Sequence, residues 1–300
     1  MAELQIGVVG IPGKWSTEVL ADAVERVTGF RLVIDMAGVC LDLGNTTGLS
    51  FAGQDLCRLD GLIVKKISTS YSPNTLDRLE LLRVAEQAGV RVFSRAEHIL
   101  RLINRLSCTV TLHNAGIPMP QTRVTEDVGA AIETVRDFGS AVFKPLYSTK
   151  ARGMRVIKAK HSTARIEQAV RDFRRDNPMM YIQQRVELPG QDMGMIFLGG
   201  NYLGSYARVS HGETWNTTIN SGGRYAACTP GEDIVALAQR AQALFGMDFT
   251  TVDVAETPAG PVVFEVSAFG GFRGAHEGVG LDAAGLYVDY VLKQLDRGRA

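Results

Sequence analysis

Two acidic residues stand inside apolar, strand-like runs: Asp253 in Thr251-Val252-Asp253-Val254 and Glu265 in Val262-Val263-Phe264-Glu265-Val266. The intervening Pro258-Ala259-Gly260-Pro261 has turn chemistry, so a hairpin would set the two carboxylates side by side. Carboxylates within apolar strands are costly unless a cation neutralises them. Magnesium suits such a pair, because it takes one or two carboxylates and fills its other positions with water and phosphate oxygens. Spacing alone serves equally well a plainer arrangement, with one solvent-facing carboxylate on each strand.

Lys144 ends Ala141-Val142-Phe143-Lys144-Pro145 and precedes Ser148, Thr149, Lys150, Ala151, Arg152 and Gly153. A lysine at a strand end, followed by a small polar loop, can contact phosphate while backbone N–H groups close over it. Ordinary surface hairpins share this pattern. The Gly-x-x-x-x-Gly-Lys-Ser/Thr phosphate loop does not occur in the chain. Gly7-Val8-Val9-Gly10-Ile11-Pro12-Gly13 lacks the dinucleotide glycine spacing and carries proline in its turn, so it reads as a strand-to-helix substrate loop. The histidines, His98, His113, His161, His211 and His276, fall one per segment without metal or triad spacing. His276 is the least ordinary of them, within the glycine-rich run 270–278. Cys40, Cys57, Cys108 and Cys228 form no Cys-x-x-Cys pair, which speaks against a zinc site or a disulfide framework.

These residues need elements to position them. Apolar residues at helical spacing mark five helices: Leu20, Ala23, Val24 and Val27; Leu81, Val84, Ala85 and Ala88; Ile99, Leu102, Ile103 and Leu106; Ile166, Ala169, Val170 and Phe173; Ile234, Leu237, Ala238 and Ala241. Arg171, Arg174 and Arg175 read as the solvated end of the fourth. Short β-branched runs at Ile6–Val9, Leu32–Ile34, Leu62–Val64 and Val90–Phe93 alternate with helices, which predicts an open α/β sheet of parallel strands. After Gly139 the rhythm becomes antiparallel, with hairpins pairing Ala141–Lys144 with Arg155–Lys158, and Met195–Leu198 with Tyr202–Arg208. Ala115-Gly116-Ile117-Pro118-Met119-Pro120 stops a helix between the two regimes.

The chain has 300 residues, 45% hydrophobic and 21% charged, enough for two or three packed domains and unlike a disordered or fibrous sequence. Its 32 basic residues balance its 32 acidic ones, so bulk charge indicates neither a nucleic-acid partner nor an anionic membrane. No apolar run reaches membrane-span length and no signal-peptide pattern opens the chain, so a cytoplasmic setting is expected.

Taken in order, the motifs resemble the ATP-grasp superfamily and, within it, the RimK-like branch of amino-acid ligases. The resemblance is carried by Val142-Phe143-Lys144-Pro145, by Tyr181-Ile182-Gln183-Gln184-Arg185-Val186, and by Trp215-Asn216-Thr217-Thr218-Ile219-Asn220-Ser221-Gly222-Gly223, together with Asp253 and Glu265. It covers roughly residues 95–295 by motif and the first ninety by topology. The run from Glu265 to Gly274 is also similar to that of the GAK-system ATP-grasp enzymes.

The resemblance implies an α/β pre-ATP-grasp domain (1–94), then two α+β ATP-grasp lobes: a central lobe with a lid loop (95–180) and a C-terminal lobe with the metal site (181–300). It further implies that Lys144 and Arg105 contact the ATP phosphates. Gln183, Gln184, Arg185 and Val186 form the hinge that meets adenine, and Asp192 belongs to the nucleotide pocket. Asp253, Glu265 and Ser267 would hold Mg2+. Ser267 stands where asparagine is usual and is the shorter, weaker ligand. Asn216 and Thr218 replace the usual lysine and asparagine, while Lys150 and Arg152 add charge to a lid with one glycine, Gly153. Arg208 would stabilise the transferring phosphoryl group and a later oxyanion; Arg273 would clamp a substrate carboxylate or pair with Glu277. The implied activity is a carboxylate–amine ligase that forms an amide, of peptide type or otherwise, through an acyl phosphate. A phosphotransferase without an amine step and a catalytically weakened nucleotide-binding regulator are the rivals. The partners would be a small-molecule or peptide carboxylate and an amine or amino acid, with a homo-oligomer left open.

Overall fold

The computed structural model describes residues 4–45, 47–148, 151–210 and 222–299. The N-terminal part runs β1 (Ile6–Val9), α1 (Trp15–Thr28), β2 (Val33–Ile34), β3 (Cys40–Leu43), β4 (Thr47–Phe51), β5 (Gln54–Asp55), β6 (Gly61–Val64), α2 (Pro73–Gln87) and β7 (Arg91–Phe93). Strands β2-β1-β6-β7 form a parallel sheet, as the alternation of strand and helix predicts. Both faces of such a sheet are covered, and every residue of β1 and β6 is buried. Strands β3-β4-β5 form a separate antiparallel sheet absent from the expected elements; its strands are two to five residues long, and β3 and β5 are largely exposed.

Two helical expectations are corrected by burial. Val27 is exposed, because α1 buries Leu20, Ala21, Ala23 and Val24 and turns its last apolar residue to solvent. The buried face of α2 is Thr75, Leu79, Leu82 and Ala85, with Leu81 and Val84 at its margin and Ala88 exposed beyond its end. The expected stripe running to Leu106 is two helices, α3 (Ala96–Ile103) and α4 (Arg105–Asn114). Asn104 explains the break: its backbone is extended and its Oδ1 accepts from the N–H groups of Leu106 at 3.0 Å and Ser107 at 3.3 Å, starting a new helix. The restart places Arg105 at the first position of α4.

The following segment runs β8 (Thr122–Thr125), α5 (Val128–Phe138), β9 (Ser140–Lys144), β10 (Arg155–Lys158), α6 (Thr163–Asp176) and β11 (Met180–Gln184). Its sheet, β10-β9-β11-β8, is antiparallel throughout, and α5 and α6 cover it over a core that includes Val135, Phe143, Ile166, Phe173 and Ile182. The last segment contains β12 (Gln191–Leu198), β13 (Asn201–Val209), β14 (Arg224–Ala227), α7 (Glu232–Ala243), β15 (Phe249–Thr257), β16 (Gly260–Ser267), α8 (Phe272–Val279) and α9 (Ala283–Arg299). Its antiparallel sheet has the order β14-β13-β12-β15-β16. Helix α9 packs on α1, so Ile6, Leu20 and Val24 share a core with Phe249, Tyr287 and Val291. Burial of that shared apolar surface fixes the N-terminal sheet against the C-terminal one and holds the walls of the cleft between them.

Candidate active site

A cavity of about 410 Å³ opens where the N-terminal sheet, α3 and α4, the β9–β11 sheet and the β12–β16 sheet meet. Lys144, the last residue of β9, reaches into it with its ammonium buried, donating to Gln183 Oε1 at 2.5 Å. Gln183 is fixed in turn, its Nε2 donating to Thr122 Oγ1 at 3.1 Å and to the Tyr181 hydroxyl at 3.3 Å. Burial and then the charge of Arg105 push Lys144 down to about 7. An ammonium held out of water in this way is stabilised by any anion brought beside it.

Arg105 projects from the first turn of α4 to Glu265, with Nη1 to Oε2 at 3.0 Å, and donates from Nε to the Pro145 carbonyl at 3.3 Å. One guanidinium thereby ties the strand end that carries Lys144 to β16. Glu265 is directly opposite Asp253 in the β15–β16 ladder, and the register shifts just beyond, between Asp253 and Val254. The hairpin expected of the two carboxylate strands therefore forms, and both carboxylates face the cavity. Arg208 on β13 pairs with Asp192, its opposite residue on β12, and also reaches Asp253 Oδ2 at 3.0 Å. Burial raises the Asp253 carboxyl well above its ordinary range, opposed by Arg208 and reinforced by Glu265 and Asp192.

The remaining expected residues divide. Gln184, Arg185, Val186 and Ser267 line the same cavity as Lys144, Asp192, Arg208, Asp253 and Glu265. The backbone N–H groups of Gln184 and Arg185 are taken by the carbonyls of Gln121 at 2.8 Å and Ser140 at 2.9 Å, which sets the path of the hinge. Val142, Met154, Leu188 and Phe264 supply an apolar slot beside it, suited to a planar base. Arg273 is not among the lining residues: its guanidinium lies over the Trp15 ring, 5.5 Å from the centroid, and its Nε is 3.6 Å from Glu277 Oε1. Loop 10–14 likewise contributes no lining residue. Thr149, Lys150 and the part of the tryptophan loop from Trp215 to Ser221, with Asn216 and Thr218, lie outside the described residues, as does His211.

Lys66, Tyr71 and Tyr206 are polar lining residues that motif reading did not find. Lys66 and Tyr71 come from the loop after β6, with Lys66 Nζ 3.2 Å from the Tyr71 hydroxyl and 4.8 Å from the centroid of Phe269. Their signal was available as a Lys65-Lys66 pair at the C-terminal end of a parallel strand, the edge at which open α/β sheets bind ligands. Tyr206 lies two residues before Arg208, and the period of two puts both on one face of β13.

Magnesium fits this donor set. Asp253 and Glu265 are adjacent hard oxygen donors, each already facing a cation, and among the described residues no group of three or more His, Cys, Asp and Glu side chains forms a closed site. A site of two carboxylates with room for phosphate and water is what magnesium takes.

The pattern of the RimK-like ATP-grasp domain matches residues 103–291. The chain belongs to the RimK-like ATP-grasp family. As a member it is an ATP-dependent ligase that forms a carbon–nitrogen bond, with ATP and magnesium as cofactors. It is 26% identical to the tetrahydromethanopterin:alpha-L-glutamate ligase of Methanosarcina acetivorans, over 82% of this chain and 80% of that one. It is 27% identical to mouse N-acetylaspartylglutamate synthase A, over 90% and 72% of the two chains. In fold it is similar to the ATP-grasp ligase PsnB solved with a precursor variant, Mg and ADP, with a TM-score of 0.76 at 19% identity, covering 98% of this chain and 99% of that one. It is also similar to a RimK domain ATP-grasp protein of Sphaerobacter thermophilus, with a TM-score of 0.71 at 22% identity and coverage of 96% and 99%. The N-terminal parallel α/β sheet and the two larger antiparallel sheets fit an ATP-grasp fold. Among the described residues no helix is long and apolar enough to cross a membrane.

Proposed function

We propose that the cavity joins a small-molecule or peptide carboxylate to the amine of an amino acid, with glutamate the leading acceptor, through an acyl phosphate. The observation that carries this reading is the convergence of Lys144, Arg105 and Arg208 with Asp253 and Glu265 around one cavity. A carboxylate that attacks a triphosphate must overcome anion–anion repulsion, and a preorganised set of cations lowers that barrier. Glutamate is proposed because the names of several relatives contain it: alpha-L-glutamate ligase, N-acetylaspartylglutamate synthase and beta-citrylglutamate synthase.

In this reading Lys144 and Arg105 hold the phosphates and the hinge 183–186 meets the base. Asp192 fixes Arg208 from below. Asp253 and Glu265, with Ser267 beside them, hold magnesium, which supplies charge neutralisation at the phosphate oxygens. A carboxylate oxygen forms a bond to the γ-phosphorus as the bond from that phosphorus to the bridging oxygen breaks, releasing ADP. The amine nitrogen then bonds to the acyl carbon, inorganic phosphate departs with the electron pair of the broken carbon–oxygen bond, and the amine loses a proton. Arg208, held between Asp192 and Asp253, is placed to balance charge on the phosphoryl group and then on the tetrahedral oxyanion. Arg273 keeps a peripheral role at most in this reading, since Glu277 and Trp15 occupy its guanidinium. The division into residues 1–94, 95–180 and 181–300 belongs to the same proposal, as do a cytoplasmic setting and the option of a homo-oligomer.

The test is a hydroxylamine trap. Acetate, citrate and N-acetyl-L-aspartate are each supplied with Mg-ATP and either glutamate or hydroxylamine. Hydroxamate and glutamyl amide formed in step with ADP support the proposal. ADP formed in step with carboxylate use but without hydroxamate would instead indicate a phosphotransferase.

A further inference from the structure

Tyr206 is held in a slot cut from glycines. A Cβ on Gly194, Gly271, Gly274 or Gly278 would fall inside the contact radius of the Tyr206 side chain, at 2.5 Å from its hydroxyl for Gly271 and 2.5 Å from its Cβ for Gly278. Gly271, Gly274 and Gly278 follow helical spacing, so from the N-cap to the last turn of α8 they form one face that lies directly on the Tyr206 side chain. Gly194 lies beneath it on β12, directly opposite Tyr206 in the ladder. Tyr225 closes the side of the slot edge-on, with ring centroids 5.3 Å apart at 89°. Lys65 helps to pin the roof from the N-terminal sheet, donating to the Gly270 carbonyl at 2.7 Å with its ammonium 4.3 Å from the Phe272 centroid.

A residue packed so tightly for its ring alone could be phenylalanine. Here the side chain is 3% exposed, it lines the cavity, and its hydroxyl has no hydrogen-bond partner among the described residues. Among the described residues the fully buried side-chain polar atom without a partner is Ser140 Oγ, so the Tyr206 hydroxyl is not sealed in the core but opens on the cavity, where it is a donor available to a ligand.

Its direction follows from register. Tyr206 on β13, Gly194 on β12, Asp253 on β15 and Glu265 on β16 form one row across four strands, so their side chains share a face. With no side chain on Gly194, the phenol can lie across β12 toward Asp253. Lys144 and Arg105 stand at the Glu265 end of that row, where the phosphates belong, while Tyr206 and Arg208 stand beyond Asp253. The place beyond the metal carboxylates is where the acyl group must approach the γ-phosphate.

We propose that the Tyr206 hydroxyl donates a hydrogen bond to the acyl oxygen of the carboxylate substrate and is a catalytic residue of acyl transfer. The inference rests on the acyl-phosphate reading above. Removal of the oxygen in Tyr206→Phe keeps the ring that the glycines hold, so the fold and nucleotide site should persist. Gly271→Ala moves the hydroxyl by placing a methyl group upon it, and gives a second variant with the phenol retained.

Both variants are compared with wild type in two assays: hydroxamate formation from the three carboxylates, and the reverse reaction, in which acetyl phosphate transfers its phosphoryl group to Mg-ADP to give ATP and acetate. Mg-ADP affinity is measured alongside by titration calorimetry. Tyr206→Phe is expected to lose about 100-fold in both rates, the scale for one donor to a developing oxyanion, with Mg-ADP affinity within about twofold of wild type because the hydroxyl touches no nucleotide-binding group. Gly271→Ala is expected to follow it. A Tyr206→Phe enzyme as fast as wild type overturns the inference, as does a parallel loss of rate and Mg-ADP affinity, which would mark a structural residue. A wild-type enzyme silent in both assays overturns the acyl-phosphate reading itself, and the inference with it.

Discussion

Lys144→Met should make the ligand-free protein more stable and the nucleotide complex weaker. The ammonium of Lys144 titrates at about 7 instead of the ordinary 10.5, chiefly because it is buried. At pH 7 that depression costs the folded protein about 4 kcal/mol relative to a solvated lysine. Methionine fills nearly the same volume without the charge. It also leaves Gln183 Oε1 without its 2.5 Å donor, and an orphaned buried acceptor costs about 1 to 3 kcal/mol. The net is a gain of about 1 to 3 kcal/mol in the ligand-free state, read as a melting temperature a few degrees higher. Mg-ADP binding loses one charge-assisted bond to phosphate, worth about 1.5 to 3 kcal/mol, or roughly 10- to 150-fold in affinity. Differential scanning fluorimetry and titration calorimetry on the same samples give both numbers. A lower melting temperature together with weaker binding would mean that Lys144 acts as a structural residue, and unchanged affinity would remove it from the phosphate site.

Three further perturbations follow from the same geometry. Glu265→Gln should keep the fold, since a neutral side chain can still accept from Arg105, while magnesium-dependent ADP release falls by about 100-fold or more in a coupled assay. Arg208→Ala should cost about 3 kcal/mol in chemical denaturation, because it removes the cation shared by the buried Asp192 carboxylate and by Asp253, and should lower product formation more than ATP affinity. The third concerns pH. Lys65 and Lys144 are both depressed to about 7, so between pH 7 and 10.5 the folded state binds fewer protons than the unfolded chain, and stability must rise with pH by about 1.4 kcal/mol per unit for each group. Lys65→Met should remove one such contribution from the slope measured between pH 7.5 and 9.5.

The fold class and the positions of the candidate residues were legible in the sequence for local reasons. Lys144, Asp253 and Glu265 are polar residues at the ends or centres of apolar strands, where a charge calls for a partner, and that makes their positions informative. The hairpins that carry them follow from strand alternation and turn residues, both local signals. What escaped depends on contacts across the chain. The sheet β3-β4-β5 is built of strands two to five residues long that place only Leu49 fully in the core, too little for a local pattern to stand out. Which face of α2 is buried depends on the sheet and helix beside it, and Leu79 and Leu82 win over Leu81 and Val84 only once those are in place. Arg105 acts through the restart at Asn104, a capping signal lying inside an apparently continuous apolar stripe. Arg273 sits in the glycine-rich run that contacts Tyr206, yet its side chain turns the other way, to Trp15 and Glu277, and spacing could not decide that direction.

The central claim is that the carboxylate is activated as an acyl phosphate, and oxygen transfer reports on it directly. A carboxylate that supports turnover is labelled with 18O in both oxygens and incubated with Mg-ATP and the amine, and the released inorganic phosphate is examined by mass spectrometry. Attack of the carboxylate on the γ-phosphorus, followed by cleavage of the carbon–oxygen bond on amine addition, must leave one 18O atom in each phosphate formed by ligation. Amide product accompanied by unlabelled phosphate, or by AMP carrying the label, would contradict the account.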